Sequence, residues 1–382
     1  MRMVLSSILL GALAVTPVLG QSWVDRFEQF DRNDDGVVTS QEVSGAAWFG
    51  RLLKRADDNR DGKLQRGELT AIADRTRRRN QPFERIPKAP PHRKVLDVEY
   101  HKVDGVDPNL LSLDLYVPIK PTVEPHPVMI MIHGGGWRAG DKSNISMTGA
   151  KMPHFLNHGY IYVTINYRLS PSGPGEPGVQ HPVHADDCAR ALAWLHDNIA
   201  QYGGDRDQLH LMGHSAGAHL AALVATNDRF LKRAGKDLSI IKTNVLLDTA
   251  AINVPGYLDD VGERGLSTLY ANAFGTKRET LVDASPFHHV KAQKAMPPTI
   301  LFYGGDRMGL HRYGPEFTQA MTSAGSPSRA IDTIDLDHSQ INRSIGMPDD
   351  AMTKLIMRLH AGEDASTFPE VLPGKVKRSA GR

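Results

Sequence analysis

Two glycine-containing segments far apart in the chain carry residues that could perform one reaction together. The segment Gly213–Gly217 reads GHSAG, whose small residues let a chain turn sharply from a strand into a helix and expose the oxygen of Ser215. The segment His133–Trp137 reads HGGGW, and its glycines allow backbone N–H groups to come close to a reacting oxygen. Together they predict a serine nucleophile next to an oxyanion hole, the arrangement of a serine hydrolase.

The backbone donors of that oxyanion hole are assigned from the same two segments. The residue after a nucleophilic serine supplies one N–H group at such a turn, and here that residue is Ala216. The glycine segment supplies the others, which we assign to Gly135 and Gly136. For the neighbouring Trp137 the sequence leaves two roles open, one as a wall of an acyl pocket and one as a packing residue.

A serine nucleophile needs a histidine base and a carboxylate that orients the histidine. Two later strand-like runs end near suitable residues, since Thr299–Tyr303 is followed by Asp306 and Ile331–Leu336 is followed by His338. The order serine, acid, histidine along the chain is the order found in α/β-hydrolases. The sequence therefore predicts a triad of Ser215, Asp306 and His338.

Other residues near these motifs could compete for the same roles. Asp248 also follows a strand-like run, but one strand earlier, and it remains the alternative acid. Asp337 is next to His338 in sequence, and so close a neighbour seldom orients an imidazole ring from the required side. We expect His214 to point away from the serine and His133 to brace the glycine segment.

Two twelve-residue segments near the N-terminus fit the EF-hand calcium loop. Oxygen side chains fall at positions 1, 3 and 5, glycine falls at position 6, and glutamate falls at position 12. A dockerin-like module is the rival, but helical sequence before the first loop argues against it. The predicted calcium ligands, with backbone carbonyls at Val37 and Lys63, are Asp31, Asn33, Asp35, Val37, Thr39, Glu42, Asp57, Asn59, Asp61, Lys63, Gln65 and Glu68.

Val38 and Leu64 occupy position 8 of these two loops. Paired EF-hand loops usually pack apolar residues there, in a short two-stranded contact. We therefore expect the two loops to pair, and we expect the calcium to be structural. No cofactor is expected for catalysis.

The 382 residues suggest two domains with appendages. Arg2, the apolar stretch Val4–Leu19 and small residues before Gln21 predict a cleaved signal peptide, hence a secreted or periplasmic protein. A membrane anchor is the alternative, although the stretch is short and contains Pro17. The predicted boundaries are 1–20 signal peptide, 21–77 EF-hand pair, 78–93 proline-rich linker, 94–362 catalytic domain and 363–382 flexible tail.

Composition excludes some partners. A formal net charge of +2 creates no overall field that would attract nucleic acid, and no later segment predicts stable membrane insertion. Cys188 is the single cysteine, so no internal disulfide can form, and its helical setting suggests a small core residue.

Strand and helix patterns alternate through the large domain, which predicts an α/β fold with a mainly parallel sheet flanked by helices. The first two strands look like an antiparallel pair, and helices are predicted over Ala185–Ala200 and Ala216–Thr226. The predicted strands are Val95–Val103, Leu110–Val117, Val128–Ile132, Tyr160–Ile165, Leu209–Met212, Val245–Leu247, Thr299–Tyr303 and Ile331–Leu336.

The large domain resembles the α/β-hydrolase superfamily, and most closely its hormone-sensitive-lipase-like carboxylesterases, bacterial feruloyl- and acetyl-esterases and kynurenine formamidases. The resemblance implies Ser215 as nucleophile, Asp306 as acid and His338 as base, although the acid follows its glycine more closely here than in many relatives. The matching segments are His133–Trp137, Asn166–Leu169, Tyr202–Asp205, Gly213–Gly217, Asp306 and His338.

The resulting hypothesis is an exported carboxylic-ester hydrolase that acts through an acyl-enzyme. Acetylated or feruloylated sugars are the suggested substrates, and Ile252–Val290 is expected to form a small helical cap. One alternative is an amidase of the kynurenine formamidase type. A second, from another class, is a calcium-dependent binding protein that carries a vestigial hydrolase domain.

Overall fold

A computed structural model describes most of the chain, which divides into the units Met1–Glu84 and Arg85–Arg382. The predicted signal peptide lies outside the described residues, as do the calcium ligands Asp57 and Asn59. The described residues are 31, 33, 35–39, 42, 61–65, 68, 86–120, 122–173, 176–292, 294–305, 307–334 and 336–372.

In the first unit, two short strands pair in antiparallel fashion. They are β1 (Val37–Val38) and β2 (Leu64–Gln65), with Val38 opposite Leu64. Both of these side chains are buried, as is expected of apolar residues that pack together between two paired loops. The contact predicted for position 8 of the two loops is therefore present.

The second unit is built on an eight-stranded sheet. Its strands are β3 His92–Glu99, β4 Ser112–Pro118, β5 His126–Ile132, β6 Ile161–Ile165, β7 Gly204–His214, β8 Thr243–Leu247, β9 Thr299–Tyr303 and β10 Ser328–Asp332. Their order in the sheet is β10-β9-β8-β7-β5-β6-β4-β3. The pairs β3–β4 and β4–β6 are antiparallel, and every other neighbouring pair in this sheet is parallel.

Helices surround this sheet. The helix after β7 occupies the predicted range, and Cys188 is buried as expected. The helices are α1 Ile145–Thr148, α2 Lys151–Asn157, α3 Val183–Asn198, α4 Ala216–Thr226, α5 Arg229–Arg233, α6 Val254–Val261, α7 Thr268–Phe274, α8 Arg278–Asp283, α9 Leu310–Ser323, α10 His338–Ser344 and α11 Ala351–His360.

Apolar cores lie on both faces of the sheet because strand side chains alternate between faces. In β5, Val128, Ile130 and Ile132 join one core with residues of α3 and α4. Met129 and Met131 join the other core with residues of α2 and α11. Helices α6, α7 and α8 fill the predicted cap segment between β8 and β9. Among the described residues, no helix is long and apolar enough to cross a membrane.

The C-terminal segment differs from the predicted flexible tail over residues 363–372. The side chain of Phe368 is buried in the core, and the guanidinium of Arg358 lies 4.7 Å from its ring centre. The backbone N–H of Asp332 donates to Glu370, and Leu372 donates back to Asp332. This segment therefore pairs with the outer edge of β10 at Asp332, the last residue of that strand.

Candidate active site

Ser215 lies at the sharp turn between β7 and α4. Its φ of 56° and ψ of −120° are unusual for a residue with a side chain, and such strain is concentrated at functional turns. Two glycines permit the turn. A Cβ on Gly213 would lie 2.2 Å from the carbonyl oxygen of Gly217, and a Cβ on Gly217 would lie 2.3 Å from that of Ile132. Helix α4 therefore packs its first turn against strand backbone.

The glycine segment after β5 lies beside this turn. A Cβ on Gly134 would lie 3.0 Å from the Cβ of Ser215, so the two backbones are close. Gly135 and Gly136 have φ values of 122° and 61°, which residues with side chains rarely adopt. The segment thus brings backbone N–H groups, unobstructed by side chains, to the neighbourhood of the serine.

His338 begins α10, and its Nδ1 lies 2.5 Å from Oδ2 of Asp248. A carboxylate accepts hydrogen bonds, so Nδ1 carries the hydrogen and Nε2 keeps the lone pair that a general base needs. The side chain of Asp248 is fully buried, and its Oδ1 accepts from the N–H of Gly304 at 3.2 Å. Nε of Arg307 lies 4.0 Å from Oδ2 of the same carboxylate.

The carboxylate against His338 thus comes from the strand end that sequence reasoning ranked second. Asp306, the acid predicted from sequence, lies outside the described residues. Because neutral imidazole carries a single N–H hydrogen, the contact with Asp248 already uses the donor that an orienting acid requires. Among the described residues the structure therefore brings Asp248, the alternative acid, to His338, and its signal in the sequence was its position directly after β8.

The other candidates near the site hold structural positions. Asp337 caps α10, where its side chain accepts from the backbone N–H groups of Ser339 and Gln340 at 2.8 Å each. His133 stacks on Tyr167 with ring centres 4.3 Å apart. Burial lowers the pKa of His133 to about 4, so the ring is neutral near pH 7.

Trp137 is packed rather than open to a pocket. Only 2% of its surface is exposed, and its Nε1 donates to Nδ1 of His219 at 3.3 Å. Its ring packs against the ring of Phe274 on α7 in an edge-to-face arrangement, with ring centres 4.8 Å apart. A methyl carbon of Leu269 lies 2.9 Å from where a Cβ on Gly136 would be. Leu269 and Phe274, both on α7 in the cap segment, therefore pack against the glycine segment.

A cavity of about 430 Å³ lies beside the glycine segment. It is bordered by Gly134 and Gly135, by His214 just before Ser215, and by Ser339 just after His338. We call it the polar cavity because, among its described lining residues, Ala139 contributes the only apolar side chain. Its remaining polar side chains are His133, Asp141, Asn144, Ser146, Asn342 and Arg343.

The described parts of the two N-terminal loops carry oxygen-bearing side chains of the kind that bind calcium. The carboxylate of Asp31 accepts from the N–H groups of Asp35 and Gly36 at 3.1 and 2.9 Å, which curls the loop around its oxygens. Glu42 accepts from Thr39 at 2.8 Å. Carboxylate and carbonyl oxygens are the ligands that calcium prefers, so these residues fit the ion. Gly36 and Gly62, at position 6 of the two loops, have positive φ values of 81° and 77°.

This fold and site define the class of protein: an α/β-hydrolase with a serine at the strand-to-helix turn, joined to an EF-hand unit. The BD-FAE family model matches residues 113–308, just over half of the chain, and the chain belongs to this family. The EF-hand model matches residues 24–44 and 51–73.

Similar proteins of known description include esterases. The chain is 28% identical over 233 residues to a probable isoprenylcysteine alpha-carbonyl methylesterase of Arabidopsis thaliana, covering 57% of this chain and 46% of the relative. It is 42% identical over 99 residues to esterase LipQ of Mycobacterium tuberculosis, covering 26% and 22% of the two chains. The chain spans about half the length or less of these relatives.

Solved structures share the fold. Esterase B from Lactobacillus rhamnosis matches with a TM-score of 0.55 and 19% identity, over 83% of this chain and 96% of that one. A truncated carbohydrate esterase from gut microbiota matches with a TM-score of 0.57 and 18% identity, over 74% and 100% of the two chains. At these identities the likeness establishes the α/β-hydrolase fold alone.

Proposed function

We propose that the chain is an exported carboxylic-ester hydrolase in which Ser215, His338 and Asp248 form the triad. The observation that carries the proposal is the contact between Nδ1 of His338 and the buried carboxylate of Asp248. This contact lies at the edge of the sheet that also presents Ser215 and the glycine segment. The esterase relatives support the same class of reaction.

In the proposed reaction, Nε2 of His338 takes the proton of Ser215 while the serine Oγ attacks the ester carbonyl carbon. The backbone N–H groups of Gly135, Gly136 and Ala216 stabilise the resulting oxyanion. The carboxylate of Asp248 stabilises the positive charge on His338. The proton then passes from His338 to the leaving alcohol, and an acyl-enzyme forms.

The second half of the reaction uses the same groups. His338, neutral again, takes a proton from water, and the water oxygen attacks the acyl carbon. The oxyanion forms a second time in the same backbone site. When it collapses, the bond to Ser215 breaks, the serine recovers its proton from His338, and the carboxylic acid leaves.

The polar cavity supports an alcohol portion rich in hydroxyl groups, such as a sugar. Because His338 must hand its proton to the leaving oxygen, the alcohol lies on the side of this residue. The polar cavity begins there, at Ser339, and its volume of about 430 Å³ is in the usual range for small-molecule sites. Hydroxyl, amide and guanidinium groups in its walls can form hydrogen bonds with the hydroxyl groups of such an alcohol. Acetyl and feruloyl sugar esters are therefore the proposed substrates.

Export is part of the same proposal and rests on the sequence of residues 1–20, which has the pattern of a signal peptide. An exported enzyme meets polymeric sugar esters outside the cell. The EF-hand unit would then bind calcium through its loops as a structural element, since its ligands lie in a different unit from Ser215.

The main experiment compares the chain with Ser215→Ala on p-nitrophenyl acetate and on acetylated and feruloylated oligosaccharides. We expect hydrolysis by the unaltered chain and a loss of about 10⁴-fold or more in the variant. Release of acetate or ferulate from the sugar esters would support the proposed substrates. Fast turnover of alkyl esters with none of sugar esters would contradict them. Cleavage of amides alone would favour an amidase, and an inactive folded chain would favour a binding protein.

The role of calcium is tested by chelation of the full chain. Removing the ion with EGTA should change the far-ultraviolet circular dichroism signal of the EF-hand unit, because its ligand oxygens would lose their shared partner. Hydrolysis of p-nitrophenyl acetate should change by less than about two-fold. Excess calcium restores the signal if the change is specific. A chelator that abolished turnover would show that the ion supports catalysis.

A further inference from the structure

His214, the residue just before the nucleophile, contacts the residue proposed as the base. Its Nε2 lies 3.0 Å from the backbone carbonyl oxygen of His338. The two imidazole rings also pack together, with centres 4.4 Å apart and planes tilted by 36°. The contact joins residues 124 positions apart in sequence, so it ties the strand-to-helix turn to the loop that carries the base.

The contact fixes the tautomer of His214. A carbonyl oxygen can only accept a hydrogen bond, so Nε2 of His214 must carry the hydrogen. Burial lowers the pKa of His214 well below its usual value, which keeps the ring neutral. A neutral ring matters here because His338 becomes positively charged during the reaction, and a second charge at this separation would oppose it.

His214 also touches the glycine segment. A Cβ on Gly134 would lie 3.2 Å from Nδ1 of His214 and 2.8 Å from its carbonyl oxygen. The side chain therefore lies between the backbone of the oxyanion segment and the first turn of α10. It is placed to set the distance between two parts of the site that no strand connects directly.

Two contacts then define where the base sits. Asp248 holds the far side of the His338 ring through Nδ1, which fixes the rotation of the ring. His214 holds the backbone of His338, which fixes the point from which that ring extends. Without the hydrogen bond from His214, the backbone of His338 at the start of α10 would be free to shift. The imidazole ring would then keep its contact with Asp248 but change its distance from Ser215.

We propose that His214 is a positioning residue that holds His338 at the correct distance from Ser215 by donating from Nε2 to the backbone of the base. This inference rests on the proposed function, because it concerns the same triad. It assigns a role to His214, the second residue of the GHSAG segment, which the reaction itself does not use.

The test compares His214→Phe with His214→Gln in the full chain. Phenylalanine keeps the ring shape but has no donor, whereas glutamine places an amide donor near the position of Nε2. With p-nitrophenyl acetate we expect kcat to fall by about 10- to 100-fold in the phenylalanine variant, with KM changed by less than about two-fold. The glutamine variant should recover most of kcat. Circular dichroism and Tm confirm that each variant is folded.

A spectroscopic measurement accompanies the kinetics. The hydrogen shared between Nδ1 of His338 and Asp248 should give a far-downfield proton resonance, and the phenylalanine variant should broaden or shift it. An unchanged kcat, a raised KM at constant kcat, or equal losses in both variants would overturn the inference. If the unaltered chain hydrolyses no ester, the proposed function fails. In that case the far-downfield resonance alone tests the inference. An unchanged resonance in His214→Phe would then overturn it.

Discussion

The proposed nucleophile, Ser215, and the proposed acid, Asp248, lie at the ends of neighbouring strands, β7 and β8, but different kinds of contact hold them. Ser215 is placed by backbone against backbone, since Gly213, Gly217 and Ile132 approach so closely that no side chain fits between them. Asp248 is placed by side-chain hydrogen bonds to groups that arrive from other strands. Ser215 is therefore fixed by backbone packing between β5, β7 and α4, whereas Asp248 is fixed by contacts of its side chain with the loops that follow β9 and β10.

One glycine serves the acid in a different way. A Cβ on Gly304 would lie 2.2 Å from the carbonyl oxygen of Leu336, so the chain that leads to His338 passes directly over this residue. The N–H of Gly304 donates to Asp248 beneath that crossing. This crossing brings His338 next to the end of β8. It explains why Asp248, which follows β8, can be its partner although Asp306, which follows β9, was expected.

The largest effect expected in this comparison comes from neutralising the carboxylate of Asp248. Asp248→Asn keeps the shape but replaces the accepting oxygen or reverses the tautomer of His338, so kcat/KM on p-nitrophenyl acetate should fall by about 10⁴-fold. Asp306→Asn is the matched control, because it makes the same chemical change at the acid predicted from sequence. We expect this control to keep kcat/KM within about ten-fold of the unaltered chain.

The opposite ranking would mean that Asp306 orients the base during catalysis. Equal losses of about 10⁴-fold in both variants would indicate a shared arrangement in which each carboxylate is needed. Measurement of active-site concentration with a covalent serine reagent separates slower chemistry from a loss of folded protein. The outcome therefore distinguishes the two strand ends whatever the absolute rate.

The same difference explains what the sequence could predict. The elbow at Ser215 follows from small residues adjacent in sequence, and the parallel sheet follows from alternating apolar strands and helices. The partner of His338 depends on where β10 stops. The strand ends at Asp332, not at Leu336 as expected, and Leu336 instead lies over Gly304. Burial of Phe368 at the end of the chain likewise depends on an apolar surface assembled from distant segments.

A smaller effect is expected at the backbone-fixed half. In Gly217→Ala the new Cβ would lie 2.3 Å from a backbone oxygen, so the free energy of unfolding should fall by about 3 kcal/mol. Gly314→Ala is the control, since Gly314 is also buried in a helix but a Cβ there meets only leucine side chains at 3.4 Å or more. That variant should stay within about 1 kcal/mol of the unaltered chain. Urea unfolding measures both, and equal losses would contradict a backbone cause.

The smallest effect concerns a buried histidine behind the nucleophile. Nε2 of His219 donates to the carbonyl of Ala284 at 2.7 Å, and Nδ1 accepts from Trp137, so the folded chain requires the neutral ring. Burial lowers the pKa of His219 to about 3, whereas an unfolded chain has a value near 6.5. Below about pH 6.5 the unfolded state binds a proton that the folded state does not, so the free energy of unfolding falls as the pH falls towards 3.

Tm measured from about pH 7 to about pH 4 should therefore decline, and His219→Gln should reduce that decline by about 2–4 °C. An equal decline in the variant would show that other groups, such as His184 and His210, whose pKa values burial also lowers to about 3, account for it.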